Sequence, residues 1–323
     1  MRYRKFGRTE WPVSDIGYGM WGMGGWSGSD DEESLASLQR AVDLGCNFFD
    51  TAYVYGNGRS ENLLGQLVRA NPGKKLYTAT KIPPKDMKYP TPADAPLEQC
   101  YPADHIEEFL HKSLKNAGLE SFDLLQIHTW NDSWTDDDSW SDMLDRLKEQ
   151  GLINACGISI NRWEPWNGIR AVKSGKIDSV QVIYNIFDQN PEDELFPACE
   201  ANDVAVIARV PFDEGTLTGT LTKETTFPEG DWRAHYFTPE NLIPSVERAD
   251  ALKPLVPSGS SMPEMALRFI LSQPAVSTII PGMRKLKNVE ANLRASDKGH
   301  LPADLLAELK NHRWVRKPAP WSD

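Results

Sequence analysis

Four residues of this chain have the types and order of a proton-transfer site: Asp50, Tyr55, Lys81 and His128. Asp50 ends the short apolar run Asn47–Asp50, and Tyr55 follows in "TAYVYGNG", whose glycines and asparagine mark a loop. Lys81 ends the run Leu76–Lys81, and His128 ends Phe122–His128. A free phenol ionises near pH ~10, too high for an efficient acid at neutral pH. A neighbouring ammonium favours phenolate and lowers that value, so Lys81 is expected to lower Tyr55. Asp50 would pair with Lys81, hold it in place and offset its desolvation. His128 would hydrogen-bond a substrate oxygen beside the phenol. Together the four can protonate a carbonyl oxygen while another group attacks the carbon. The sequence offers no nucleophile triad and no cysteine or histidine pair at metal-ligand spacing, so no metal is expected. The attacker is expected to arrive with a cofactor, as hydride. Any one polar residue can simply terminate an apolar strand. That explanation does not produce an acid, a phenol, a lysine and a histidine on consecutive strands.

The elements that must position these groups follow from hydrophobic patterning. Eight short apolar runs read as strands: Asp15–Gly19, Asn47–Asp50, Leu76–Lys81, Phe122–His128, Ala155–Ser159, Ser179–Tyr184, Ala205–Arg209 and Val276–Ile280. Amphipathic stretches separate them. "DDEESLASLQRAVDLG", for example, has acids in its first turn, an apolar face and a terminal glycine. Strand–helix alternation with short connections means parallel strands covered by helices. Eight such units, roughly 250 residues, close into a (β/α)8 TIM barrel. The remaining length is placed in an N-terminal hairpin, in long loops at the C-terminal face (Pro83–Pro102, Thr129–Trp140, Pro211–Pro239) and in a C-terminal tail after His312. No composition shift marks a second part, so residues 1–323 are expected to form a single barrel domain.

An open doubly wound sheet is the rival, because Gly17-Tyr18-Gly19-Met20-Trp21-Gly22 matches GxGxxG and the next strand ends on an acid. The context is wrong for it. The motif runs into "MGGWSGSD" rather than a helix, so no helix N-terminus meets a phosphate.

In a barrel of this kind the chemistry stands at the C-terminal strand ends. Besides the four residues above, those ends carry Ser159 with Asn161 after it, Gln181, Arg209, and Arg284 in the loop after the last strand.

With these residues in place the sequence resembles an aldo-keto reductase over nearly its whole length. The resemblance runs through "YRKFGRTEWPVSDIGYGMW", "FFDTAYVYGNGRSENLLG", "TATKI", "DLLQIHTW", "GISIN", "VQVIYNIF", "EGTLTG" and "IIPGMRKLKNVEANL". It implies Tyr55 as proton donor, Asp50 and Lys81 as its tuning pair, and His128 as the group that orients the carbonyl. It also implies NADPH/NADP+ bound without a Rossmann fold. Ser159, Asn161 and Gln181 would hold the carboxamide, and Gly215, Leu217 and Gly219 would line the pyrophosphate. The stretch from Gly282 would hold the 2′-phosphate, with Arg284 as the bidentate candidate and Asn288 and Asn292 in support. Lys285 and Lys287 read as solvated helix residues that add positive charge, and this local basic cluster in an acidic chain favours NADPH over NADH.

Two positions depart from the family pattern. Ile160 separates Ser159 from Asn161, and Arg209 stands where an aromatic ring usually backs the nicotinamide. An arginine plane can stack there, but its charge disfavours the cationic oxidised ring, which predicts weaker binding of NADP+ than of NADPH.

The substrate is expected to be a small carbonyl compound, apolar or ring-bearing, with Trp21 and Trp130 as pocket walls and Trp26 nearby. Trp134, Trp140 and Trp321 are expected to pack loops, and "TDDDS" to begin a helix. Pro318 and Pro320 are expected to keep the tail from forming a helix. Net charge is −11, which argues against nucleic acid or an anionic membrane as partner. Four scattered cysteines and an N-terminus without an apolar leader predict a reduced, cytoplasmic setting. No apolar run is long enough to span a bilayer. A non-catalytic nucleotide-binding sensor on the same barrel is the alternative, and the intact four-residue set speaks against it.

Overall fold

The structure is a computed structural model that describes residues 1–26, 28–161 and 163–316. Trp321, Pro318 and Pro320 lie outside the described residues. The chain opens with an antiparallel hairpin, β1 (Tyr3–Phe6) and β2 (Trp11–Ser14). Eight parallel strands follow: β3 (Tyr18–Gly19), β4 (Phe48–Asp50), β5 (Tyr77–Ile82), β6 (Phe122–Trp130), β7 (Ile153–Ile160), β8 (Ser179–Ile183), β9 (Ala205–Arg209) and β10 (Val276–Ile279). They lie in one sheet in sequence order. Parallel bridges Ile16–Ile279 and Gly19–Gly282 join its first and last strands, closing the barrel. Each of the eight expected runs is a strand, within a few residues at either end.

The motif Gly17–Gly22 is part of this closure. A Cβ on Gly17 would stand 2.9 Å from the carbonyl oxygen of Phe48, and one on Gly19 would stand 2.5 Å from that of Ile280. The glycines are small so that strands can meet. This answers the doubly wound alternative.

The layering follows from the two-residue period of strands. Phe48, Tyr77, Ala79, Leu124, Ala155, Ala205 and Ile207 form one buried cluster inside the barrel, with Phe6 and Val13 of the hairpin packed into it. Phe6 stacks on Trp11 at 5.7 Å and touches Phe48 at 5.4 Å, while Trp11 stacks on Tyr77 at 5.1 Å. The hairpin therefore plugs the N-terminal end. A larger apolar cluster fills the space between strands and helices. The helix Asp31–Asp43 is capped by Asp30, whose side chain accepts from the Glu33 amide, as its acidic first turn predicts. All four cysteines are buried and free.

Candidate active site

The strand register lifts the polar residues into one layer above the apolar plug. Lys81 is level with Gln126, Gln126 with Gly157, and Ser159 with Gln181. Two residues below Lys81 and Gln126 lie Ala79 and Leu124 of the inner core. Side chains two apart share a face, so Asp50, Lys81, Gln126, His128, Ser159, Gln181 and Arg209 all point into the C-terminal mouth.

Lys81 is completely buried, and the amine is held on three sides. Its Nζ donates to Asp50 Oδ1 at 2.5 Å, to the Thr51 carbonyl oxygen at 2.7 Å and to Tyr55 Oη at 3.5 Å. The second carboxylate oxygen of Asp50 accepts from Gln126 Nε2 at 2.9 Å and from Gln181 Nε2 at 3.0 Å. Gln181, expected at the cofactor, thus spends its amide nitrogen on Asp50. Gln126 was missed. Its signal was available, since it lies two residues before His128 on the same face.

Tyr55 sits in the turn after β4, where Ser60 Oγ and Thr51 Oγ1 lie 2.7 Å apart and tie the turn's two ends. Gly56 beside it has φ +70°, and a Cβ there would meet the Gly24 carbonyl oxygen at 2.4 Å. That contact brings the loop after β3 over the turn, and Trp26 meets the Tyr55 ring edge-on at 6.3 Å.

Burial pushes the Tyr55 phenol above its ordinary value; Lys81 opposes this without cancelling it. The expected lowering is therefore corrected: desolvation wins in the folded chain. Burial also works against the Lys81 charge, but Asp50 and Tyr55 together hold its amine above the ordinary lysine value. His128 is driven well below its ordinary value by burial, with Lys81 and Arg209 adding to the effect. The imidazole is neutral at physiological pH. Its Nδ1 is buried without a hydrogen-bond partner among the described residues.

Above this floor opens a cavity of about 750 Å³. Tyr55, His128, Ser159, Asn161, Gln181 and Arg209 line it below, with Trp21, Trp26, Tyr89, Trp163, Trp232 and Tyr236 around the walls and Glu164 and His235 among them. Tyr89 and the Trp232–Tyr236 stretch come from the long loops that the sequence marked as insertions.

Trp130 is a correction. It is fully buried, packs against Trp134 and Trp140 at 5.6 and 4.8 Å, and does not line the cavity. The β6–β7 register shifts between Ile127 and Trp130, and such an irregularity re-aims the side chains beyond it. The stretch "TDDDS" leads into a helix as expected: Thr135 and Asp136 end a short 3-10 turn, Asp132–Asp136, and the helix Ser139–Glu149 starts after Asp138.

Of the residues expected at a nicotinamide cofactor, Ser159, Asn161, Gln181 and Arg209 line the cavity, while Gly215, Leu217, Gly219, Gly282, Arg284, Asn288 and Asn292 are not among its lining residues. Asn161 Oδ1 is buried without a partner among the described residues and lines the cavity. An amide N–H would satisfy it, so the donor and acceptor set of Ser159 and Asn161 fits a carboxamide. Arg209 Nη2 donates to the Ile160 carbonyl oxygen at 3.0 Å. Gly215 and Gly219 have φ of +114° and +70° in the turn Asp213–Thr218 and its cap, and Leu217 is fully buried. Arg284 Nη1 reaches the carbonyl oxygens of Gly22 and Trp26 at 3.3 and 3.5 Å. Gly282 and Asn288 are exposed, and Asn292 is buried on the helix Leu286–Lys298. No cluster able to hold a metal ion occurs among the described residues. None of their helices is long and apolar enough to cross a membrane.

The model of the aldo/keto reductase family matches residues 15–313. Aldo-keto reductase YhdN of Bacillus subtilis (strain 168) is 30% identical over 302 residues, which cover 90% of this chain and 87% of that protein. The NADH-specific methylglyoxal reductase of Escherichia coli (strain K12) is 28% identical, with 91% and 93% covered. The solved glycerol dehydrogenase of Gluconobacter oxydans superposes with a TM-score of 0.78 at 26% identity, covering 96% of this chain and 95% of that one. With the barrel, its hairpin plug and the layer of polar strand ends already in view, these matches settle the family: the chain belongs to the aldo/keto reductases.

Proposed function

We propose that the protein reduces an aldehyde or ketone to the alcohol, reversibly, with NADPH as cofactor and Tyr55 as the proton donor. The observation that carries this reading is the ammonium of Lys81, shared between Asp50, a backbone carbonyl and the Tyr55 hydroxyl at the cavity floor. When bound, the nicotinamide supplies hydride to the carbonyl carbon. The chain's own residues manage the oxygen. Tyr55 Oη gives its proton to that oxygen, and the phenolate left behind faces Lys81. Asp50 keeps Lys81 charged, and Gln126 and Gln181 keep Asp50 aimed. His128, being neutral, hydrogen-bonds the substrate oxygen without adding a second full charge. Ser159 and Asn161 would hold the carboxamide; Gln181 and Arg209 lie at the same edge. The turn with Gly215, Leu217 and Gly219 would line the pyrophosphate. Gly282, Arg284, Asn288 and Asn292 would form the 2′-phosphate side. Trp21 lines the cavity and would face the substrate. Aromatic walls suit an apolar ring, or the C–H faces of a sugar.

Preference for NADPH over NADH rests on Arg284 and the neighbouring lysines. An NADH-specific relative makes it worth measuring directly. Dissociation constants should favour NADPH over NADH, and Arg284→Ala should erase the gap; equal constants in the wild type would overturn the preference. A tighter hold on NADPH than on NADP+ that disappears in Arg209→Ala would support the assigned place of Arg209.

The deciding experiment follows NADPH consumption with aromatic aldehydes, ketones and sugars in wild type and Tyr55→Phe. Turnover should fall about 10²–10⁴-fold in the variant, the usual contribution of a positioned acid, with nucleotide affinity retained. Tight binding without turnover on any carbonyl would replace this reading with the non-catalytic sensor.

A further inference from the structure

Arg316, near the end of the described chain, is buried although it is charged; its side chain is only 1% exposed. Its Nη2 lies 2.6 Å from Asp213 Oδ1 and 3.5 Å from Asp188 Oδ2. Its Nη1 donates to Tyr236 Oη at 2.8 Å. The guanidinium also faces the rings of Trp314 at 4.3 Å and Trp163 at 5.6 Å. These partners come from separate segments. Trp163 follows β7, Asp188 follows β8, Asp213 and Tyr236 follow β9, and Trp314 donates its amide to the Phe187 carbonyl oxygen at 2.8 Å. Two of them, Trp163 and Tyr236, are walls of the substrate cavity. Asp213 begins the turn assigned to the pyrophosphate.

That turn is strained. Asp213, Glu214 and Gly215 have φ of +47°, +56° and +114°, and Val210 ahead of them has φ +56°. Three of the four are not glycine, and a β-branched residue is a marked outlier there. Such a backbone persists only where its surroundings over-determine it, and Arg316 is the buried cation at that point. Two carboxylates face the one guanidinium, and burial raises the Asp188 carboxyl to about 6. Without the guanidinium, Asp188 and Asp213 would confront each other in a dry site.

We propose that Arg316 is a positioning residue that fastens the segment Trp314–Arg316 to the loops after β7, β8 and β9, so that one guanidinium sets both the pyrophosphate turn and two walls of the substrate cavity. The cofactor half rests on the assignment of Gly215–Gly219 under Proposed function. A lysine cannot reproduce the arrangement, because a point charge does not bridge two carboxylates and a phenol in one plane.

The test compares wild type, Arg316→Gln and Arg316→Lys in two ways. The first is the NADPH release rate by stopped-flow tryptophan fluorescence, with KM and kcat on any accepted carbonyl. The second is amide hydrogen exchange of the nucleotide-free chain. Arg316→Gln should release NADPH at least about tenfold faster, since losing one partner of a buried, hydrogen-bonded charge pair acts on dissociation. The catalytic loss should fall on KM more than on kcat. Exchange should quicken in residues 210–219 and 233–236 and stay unchanged in β5–β8. Arg316→Lys should lie between. Unchanged release and exchange, or exchange rising evenly through the barrel with a lower Tm, would overturn the proposal. Should Arg316→Gln fail to fold, Tyr236→Phe and Asp213→Asn carry the same comparison. A wild type that binds neither NADPH nor NADH would overturn the functional reading, while the exchange data would still decide whether Arg316 sets the turn.

Discussion

Lys81 has three N–H bonds and three partners, and this count explains much of the site. A buried ammonium without partners would give up its proton. Here it stays charged, and the phenol next to it stays protonated because burial disfavours phenolate. Opposite consequences follow for the two directions. With Tyr55 as the proposed proton donor, reduction would consume the phenol proton, so its rate should hold from about pH 6 to about pH 9 and fall only above the ordinary phenol value. Oxidation would then need phenolate, so its rate should climb over the same range. His128 adds no acidic limb near pH 6, because it protonates only well below its ordinary value. A kcat/KM profile for reduction that drops with a pKa near 6–7 would contradict this account. Gln126 gives a second prediction. Gln126→Leu leaves Asp50 Oδ2 with one donor fewer, and should lower stability by about 1–3 kcal/mol in urea denaturation along with a fall in kcat/KM. An unchanged midpoint and rate would show that Gln181 alone suffices to hold Asp50.

Strands place these groups through two simple rules, alternation along each strand and register between neighbours. Asp50, Lys81, Gln126 and His128 sit where they do because Phe48, Ala79 and Leu124 lie two or four residues earlier on the same inward face. The seam between β3 and β10 depends on glycine for a different reason, the approach of backbone to backbone. Gly19→Ala puts a Cβ 2.5 Å from the Ile280 carbonyl oxygen and should destabilise by about 1–3 kcal/mol or more. Gly22→Ala meets nothing within 4 Å and should stay within about 0.5 kcal/mol of wild type. Both should bind NADPH normally when folded. Loss of nucleotide binding in Gly22→Ala, with stability intact, would revive a phosphate role for that motif.

Over the whole molecule the two ends of the barrel are separated in task. The N-terminal end is stability: Phe6 and Trp11 of the hairpin close it against Phe48 and Tyr77. Phe6→Ala should cost about 3–5 kcal/mol, the range for a fully buried aromatic. The carbonyl KM should not change in the folded fraction; a shift in KM would mean that the plug transmits to the mouth. The C-terminal end holds the cavity and the proposed chemistry, where loops from far apart in the chain meet.

What the sequence determined by itself was whatever depends on neighbours along the chain. Short apolar runs placed the eight strands, the acidic first turn and Gly45 bounded the helix Asp31–Asp43, and the order Asp50, Tyr55, Lys81, His128 picked out four side chains that meet at the cavity floor. The tertiary structure decided what depends on burial and on meetings between distant segments. It turned Trp130 into core through a register shift and gave Gln181 to Asp50. It let desolvation outweigh Lys81 at Tyr55, and it brought Trp163, Trp232 and Tyr236 to one cavity. Local patterns fix which face a side chain takes. Only the packed chain fixes how dry that face is and which residue, tens or hundreds of positions away, stands opposite.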